Sequence, residues 1–252
     1  MLALEFPPIS HLFEWPEFAF SGTPMAMNKT VVIYLAAFVL TLIVFGVGGS
    51  KKKLVPSGLQ TVAEVGIDFV ENSIIEPTLG IAHGKKFLPF LTAMFFFVFF
   101  TNIFEVVPLI QFPANSRMAL PIFLAIVVWL VYNYQGFRNQ GIAYMKNAII
   151  PPGVPVAILP LVALIELLQV LIIRPASLAI RLWANMVAGH LLLVTFSVLS
   201  AALWDSTKVG AVLPFAVLIL MTGFEILVSF LQAFIFTILT AVYINMASHA
   251  EH

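Results

Sequence analysis

The sequence predicts an all-α integral membrane protein with about five membrane helices plus one amphipathic cytoplasmic-surface helix, the last two spans forming a long, strongly tilted antiparallel hairpin. Three observations predict it. Of 252 residues, 61% are hydrophobic and only 10% are charged, against roughly 25% charged in a soluble domain. The apolar residues gather in runs long enough to cross a bilayer, and the last two runs far exceed one upright crossing. Basic residues sit at the ends of the runs rather than within them, with one exception considered below. Net charge is zero, so neither a nucleic-acid surface nor an acidic tail is indicated. The chain has no cysteine, which excludes disulfides, thiol catalysis and cysteine-ligated metals.

The whole chain, 1–252, reads as one membrane domain. Residues 1–28 carry Pro7, Pro8, Pro16 and Pro24 with Glu5, Glu14 and Glu17 and the aromatics Phe6 and Trp15, which predicts an outward-facing arm near the interface. The first apolar run, Thr30 to Val47, has 18 residues and is followed by Gly48, Gly49 and then Lys51, Lys52 and Lys53. A first span over 29–48 is expected, with its basic flank in the cytoplasm and the N-terminus outside. No early positive charge or short apolar segment precedes it, so no cleavable signal peptide is expected and this span inserts as an anchor.

Over 57–80, Glu64, Asp68 and Glu71 recur at i, i+4 and i+7, while Leu59, Val62, Val65, Phe69 and Ile74 lean to the other side. This pattern predicts an amphipathic surface helix with a solvated acidic face, ending at Glu76-Pro77. His83, Lys85 and Lys86 keep the next entry point cytoplasmic. Residues 87–138 hold the second and third spans. The second, Phe87 to Pro108, is rich in Phe and carries Asn102 and Glu105 near its outer end; the third runs from Ala119 to Tyr134. A loop through Pro113 and Arg117 joins them, and Arg138 and Lys146 return the chain to the cytoplasm.

The hairpin occupies 155–248. Val156 to Leu203 is about 48 residues of apolar sequence interrupted only by Pro160 and Pro175. As one helix it measures about 70 Å, against a hydrocarbon core of about 30 Å. It holds either two spans with a turn near Arg174-Pro175 or one steeply tilted helix; a lone proline without glycine or polar neighbours favours the second. After a polar break from Trp204 to Gly210, with Asp205 and Lys208, the run Val212 to Ala247 adds about 36 residues, or about 54 Å. The polar tail, 249–252, falls in the cytoplasm by the same count of spans.

Within the first arm lies the exception. An arginine near the bilayer centre costs about 3 kcal/mol, so Arg181 marks a functional site by default. Arg174, Ser177, Arg181 and Asn185 are spaced 3, 4 and 4 and share a helical face; on the second arm Glu225, Ser229 and Gln232 recur at 4 and 3. Counting from Asp205, antiparallel arms bring His190 to the depth of Glu225, and Arg181 to that of Gln232, within about a turn. A histidine and a carboxylate in an apolar site can both exchange protons near neutrality, whereas an arginine does not release its proton. Proton movement is therefore the chemistry suggested. Duller roles exist for each neighbour: packing for His190, pairing for Glu225, interhelical hydrogen bonding for Asn185 and Gln232, and snorkelling for Arg174. Arg181 resists one, because no acid lies a turn away on its own helix.

These segments, RPASLAIRLWANMVAGH at 174–190 and FEILVSFLQAFIFTILTAVYINMAS at 224–248, together with TNIFEVVPL at 101–109, resemble subunit a of the bacterial F-type ATP synthase. The order of spans agrees along nearly the whole chain. The resemblance implies that Arg181 matches the essential arginine facing a carboxylate of the c-ring, with Asn185 and Gln232 beside it. It implies that His190 and Glu225 match the proton-path pair, in the order opposite to that of many bacterial members, and that Asn102 and Glu105 line the outer half-channel. The family often carries a carboxylate about 14 residues before the arginine; here Glu166 stands 15 before it.

The function implied is proton translocation through two offset half-channels, coupling proton motive force to ATP synthesis. The implied partners are the c-ring, a peripheral-stalk b-type subunit and the lipid bilayer, in the inner (plasma) membrane of a bacterial cell. Neither cofactor nor metal is expected, and the chain would be a non-catalytic subunit. An independent ion-coupled secondary transporter is the rival; the chain shows no inverted repeat and no matched pair of Gly/Pro-interrupted short helices to support it.

Overall fold

The computed structural model describes residues 16–17, 19, 22, 26–50, 57–108, 110–150, 154–155 and 157–248. Most of the N-terminal arm, Lys51 to Lys53, the tail 249–252 and the Asp205 side chain lie outside the described residues. Helix α1 is Lys29–Ser50 and α2 is Leu59–Val70. A π-helical turn, Glu71–Ile75, joins α2 to α3, Glu76–Leu79; α4 is Ile81–Gly84 and α5 is Leu88–Ile103. Then come α6, Ala119–Gln140, and α7, Ala143–Ile149. The first hairpin arm is α8, Leu159–Leu168, a second π turn, Gln169–Ile173, and α9, Arg174–Ser206; the second arm is α10, Lys208–Ser248. Among the described residues, five stretches are long and apolar enough to cross a membrane: Lys29–Gly46, Ile81–Ile103, Ala119–Gln140, Leu159–Trp204 and Lys208–Ser248.

Both π turns have the same local setting. A proline in a helix lacks an N–H and pushes against the carbonyl four residues back. Pro77 and Pro175 each follow a π turn by two residues, and the wider turn relieves that clash without ending the helix. One expectation is thereby corrected and the other, the continuous arm through Pro175, holds. The surface helix does not stop at Glu76-Pro77 but continues to Leu79, where Gly80 takes a φ of 71° that a side chain resists. The run around Pro175 is one continuous arm, so the two-span alternative falls.

Other boundaries move as well. The second span leaves the helix at Ile103 instead of Pro108, and Glu105 sits in the turn beyond, where its N–H bonds to the carbonyl of Asn102. The third helix runs past Tyr134 to Gln140 and ends at Gly141, φ 60°. The hairpin turn narrows to Thr207 alone, whose N–H caps the carbonyl of Leu203. From Thr207, His190 lies 17 residues back and Glu225 lies 18 forward, a closer depth match than counting from Asp205.

The core joins α5, α6, α9 and α10 through Leu91, Phe95, Val128, Leu178, Leu182 and Phe236. Phe230 of α10 has its ring 5.5, 5.7 and 6.3 Å from those of Phe69, Phe95 and Phe99, which ties α2 to the bundle. Helix α2 packs inward through Gln60, Ala63, Gly66 and Val70, while Leu59, Val62 and Val65 face outward beside the exposed acids. An outward apolar stripe on a helix with an acidic face suits a position in the bilayer interface.

Candidate functional site

Glu105, placed by the turn after α5, points at α9 and brings its Oε1 within 3.4 Å of His190 Nδ1. Both side chains are buried, Glu105 at 3% exposure and His190 at 8%. Beside them Asn115 donates through Nδ2 to Asn102 Oδ1 at 2.8 Å and to Thr101 Oγ1 at 3.1 Å. The loop carrying Asn115 is held down by α1: Lys29 Nζ donates to the Ile110 carbonyl, 2.7 Å, and Tyr34 Oη to the Ala114 carbonyl, 2.6 Å. Trp183 of α9 closes the other side, with Nε1 donating to the Ser116 carbonyl at 2.8 Å.

A cavity of about 350 Å³ opens onto this cluster, with Glu105, Gln111, His190, Ser197 and Thr222 as its polar lining. It holds several water molecules by volume. Sequence reasoning found Glu105, His190 and Asn102 but missed Gln111, Asn115, Ser197 and Thr222. Two of these carried a signal, since Ser197 is seven residues after His190 and Thr222 three before Glu225, on the same helical faces. Asn115 carried none, because loop closure alone brings it to α5.

Glu225 enters the cluster through a gap in α9. A Cβ on Gly189 would meet the Glu225 carboxylate oxygens at 2.5 and 2.6 Å, so the missing side chain at 189 is what admits the acid beside His190. Glu225 is itself buried, at 6% exposure. The predicted depth match places the two arms as expected, with Gly189 as the residue in immediate contact. Gly189→Ala is expected to displace Glu225 and destabilise the protein by about 1 to 3 kcal/mol, with partial recovery when Glu225→Asp shortens the acid; the thermal unfolding midpoint in detergent measures it.

The remaining residues are distributed around Arg181. That side chain is exposed on α9, while its neighbour Leu182 is 1% exposed and packed in the core. Among the described residues Arg181 makes neither a hydrogen bond nor an ion pair. The depth-matched Gln232 is buried, with its Nε2 donor unsatisfied among the described residues. Asn185 is half-buried one turn further along. Ser177 spends its hydroxyl on its own helix, donating to the Arg174 carbonyl at 2.9 Å. Arg174 stacks over the Tyr243 ring at 5.6 Å, a cation–π contact that gives it a protein partner rather than a place in the headgroups alone. It also acts on the loop helix α7, where burial pushes the Tyr144 phenol up and Arg174 pulls it down.

Glu166 is half-buried on α8. The π turn Gln169–Ile173 lies between it and Arg181 and contributes the one extra residue of that 15-residue separation without adding a step of helical rotation. At about 1.5 Å per residue, Arg181 stands about 14 Å from the level of His190 and about 22 Å from that of Glu166. An exposed cation thus lies, along the arm, between the Glu105, His190 and Glu225 cluster and the single carboxylate Glu166. Among the described residues, no three His, Asp or Glu side chains are grouped as a metal ion requires.

The profile of the family described as ATP synthase A chain matches residues 30–245. The ATP synthase subunit a of Frankia alni is 38% identical, the match covering 97% of this chain and 87% of the relative. That of Rhodococcus erythropolis is 38% identical over 94% of this chain and 88% of its own, and that of Streptomyces lividans 36% identical over 96% and 86%.

Proposed function

The chain belongs to the ATP synthase subunit a family, and from that premise we propose that it conducts protons along two offset half-channels beside a rotating c-ring. It is an integral membrane subunit in this reading, held in a bacterial plasma membrane with the N-terminus outside and the C-terminus cytoplasmic, and contacted by a peripheral-stalk b-type subunit.

A proton enters the cavity lined by Glu105 and His190 and passes among His190, Glu105 and Glu225, with Asn102 and Asn115 ordering the water. It leaves this chain for a carboxylate on the ring. Neutralised, that carboxylate can face lipid, because the cost of a bare charge there is gone. After nearly a full turn the carboxylate meets the inner half-channel on the Glu166 side and loses its proton, since the nearby Arg181 favours the ionised form. Arg181 holds its charge throughout and blocks direct passage between the two water-filled paths. Asn185 and Gln232 set its polar surroundings. Each proton crossing is driven by about 2.3 kcal/mol per 100 mV. The chain moves protons; nucleotide chemistry belongs to other subunits.

One observation carries the reading: Arg181 lies exposed on an apolar helix, between the cavity cluster and Glu166, without a partner among the described residues. An uncompensated cation at that position calls for an anion from another subunit. The test is purification from membranes. Co-purification with a small, hairpin-forming oligomeric ring is expected, along with ATP-driven proton pumping after reconstitution; a preparation that transports a solute on its own, without a ring, would sink the assignment.

A further inference from the structure

Within the first hairpin arm, Val170 has a carbonyl that its own helix does not satisfy through the usual donors. Its α-helical donor would be the N–H of Arg174, but that N–H reaches back five residues to Gln169. Its π-helical donor would be residue 175, which is proline and has no N–H. Val170 is 3% exposed, and a buried carbonyl left without a donor is costly. Two donors come instead from α6: Trp129 Nε1 at 3.2 Å and Tyr132 Oη at 2.8 Å. They are three residues apart and so share a face of α6. Tyr132 is itself 1% exposed, and its ring packs edge-on to Tyr243, 5.9 Å between centroids, the same Tyr243 over which Arg174 stacks.

We propose that Trp129 and Tyr132 are positioning residues: by donating to the Val170 carbonyl they hold the π turn in place, and the π turn sets the rotational phase in which α9 presents Arg181. The inference rests on the reading of Arg181 as the residue that faces the ring. A π turn adds one residue to a helix, and one residue is about 100° of rotation. On α9 that angle separates the exposed Arg181 from the buried Leu182. A slip of one residue therefore exchanges the arginine for a leucine at the outer face. The same slip rotates Glu166 relative to Arg181. The bonds that Trp129 and Tyr132 make to this arm go to its backbone, at the Val170 carbonyl.

Pro175 denies Val170 its i+5 donor, so an N–H restored at 175 lets the π turn bond the Val170 carbonyl from within its own helix and stand without the clamp, and a double-mutant comparison separates positioning from packing. In the assembled synthase, Trp129→Phe with Tyr132→Phe removes both bonds and is expected to lower ATP-driven proton pumping about tenfold, the scale of leaving one buried carbonyl unsatisfied. Adding Pro175→Ala is expected to restore it to within about twofold. The chain has no native cysteine, so spin labels at introduced cysteines replacing Ile180 and Leu220, both exposed, report the phase of α9 independently of flux. Their distance distribution is expected to change in the double Phe variant and to recover with Pro175→Ala. Equal losses of pumping with and without Pro175→Ala, or label distances that never move, would overturn the clamp. Label distances that move and recover while pumping stays parental support the clamp and instead sink the role given to Arg181. Tyr132→Phe alone, which removes a single oxygen from the core, repeats the comparison if the double variant fails to assemble.

Discussion

Arg181→Ala abolishes proton-driven ATP synthesis in reconstituted vesicles while the complex still assembles: that is the largest effect expected of any substitution in this chain. The physical reason lies in the proposed partner. An opposite charge nearby lowers a carboxylate pKa by about 1 to 3 units. Removing it cuts the tendency of the ring carboxylate to release its proton into the inner half-channel by about ten- to a thousandfold. The barrier between the half-channels goes at the same time, so the residual flux no longer requires rotation. Assembly survives because Arg181 is exposed and contributes nothing to the core, which on α9 is made by Leu178, Leu182 and Met186. Normal synthesis by correctly assembled vesicles carrying Arg181→Ala contradicts the account.

The second large effect is expected at Glu225. Glu225→Ala removes the acid that Gly189 admits and leaves His190 facing Glu105 across 3.4 Å with no carboxylate from the second arm. Loss of a positioned proton-transfer group lowers rate by about a hundredfold. Passive proton flux through the membrane sector measures this without relying on ATP chemistry, and a variant that conducts at the parental rate would remove Glu225 from the path. Glu225→Gln separates charge from space: it fills the same gap, and a titrating role predicts a loss close to that of Ala, whereas a packing role predicts near-parental flux.

The sequence made the hairpin legible because its information is local. Run length against bilayer thickness identifies oversized helices, and two antiparallel arms of equal rise put His190 opposite Glu225 by counting alone. The actual turn at Thr207 sharpened the count, because the polar residues 204–206 and 208–210 are helical in spite of their composition. Local reasoning fails at Pro77, where the helix runs on to Leu79, and holds at Pro175, where a lone proline reads as a kink and the arm is continuous; what the sequence does not show there is the support from Trp129 and Tyr132, some forty residues away. The helix boundary at Ile103 and the place of Asn115 were illegible for the same reason, since both depend on how the loop after α5 folds back beneath α1. The role of Gly189 was hidden because a missing side chain has no pattern; what it accommodates lies on another helix.

The central claim, that the anion for Arg181 rides on a neighbouring ring, is tested most directly by disulfide mapping along α9 in the cysteine-free chain. Single cysteines at Ser177, Ile180, Ala184 and Ala188 surround the Arg181 face, and cysteines at Leu178, Leu182 and Met186 point into the core. Each is paired with a cysteine placed next to the ring carboxylate. The account predicts crosslinks to the ring from the first set and none from the second, with a period near 3.6 residues. Crosslinks absent from the Arg181 face, in complexes where the ring is present, would contradict it.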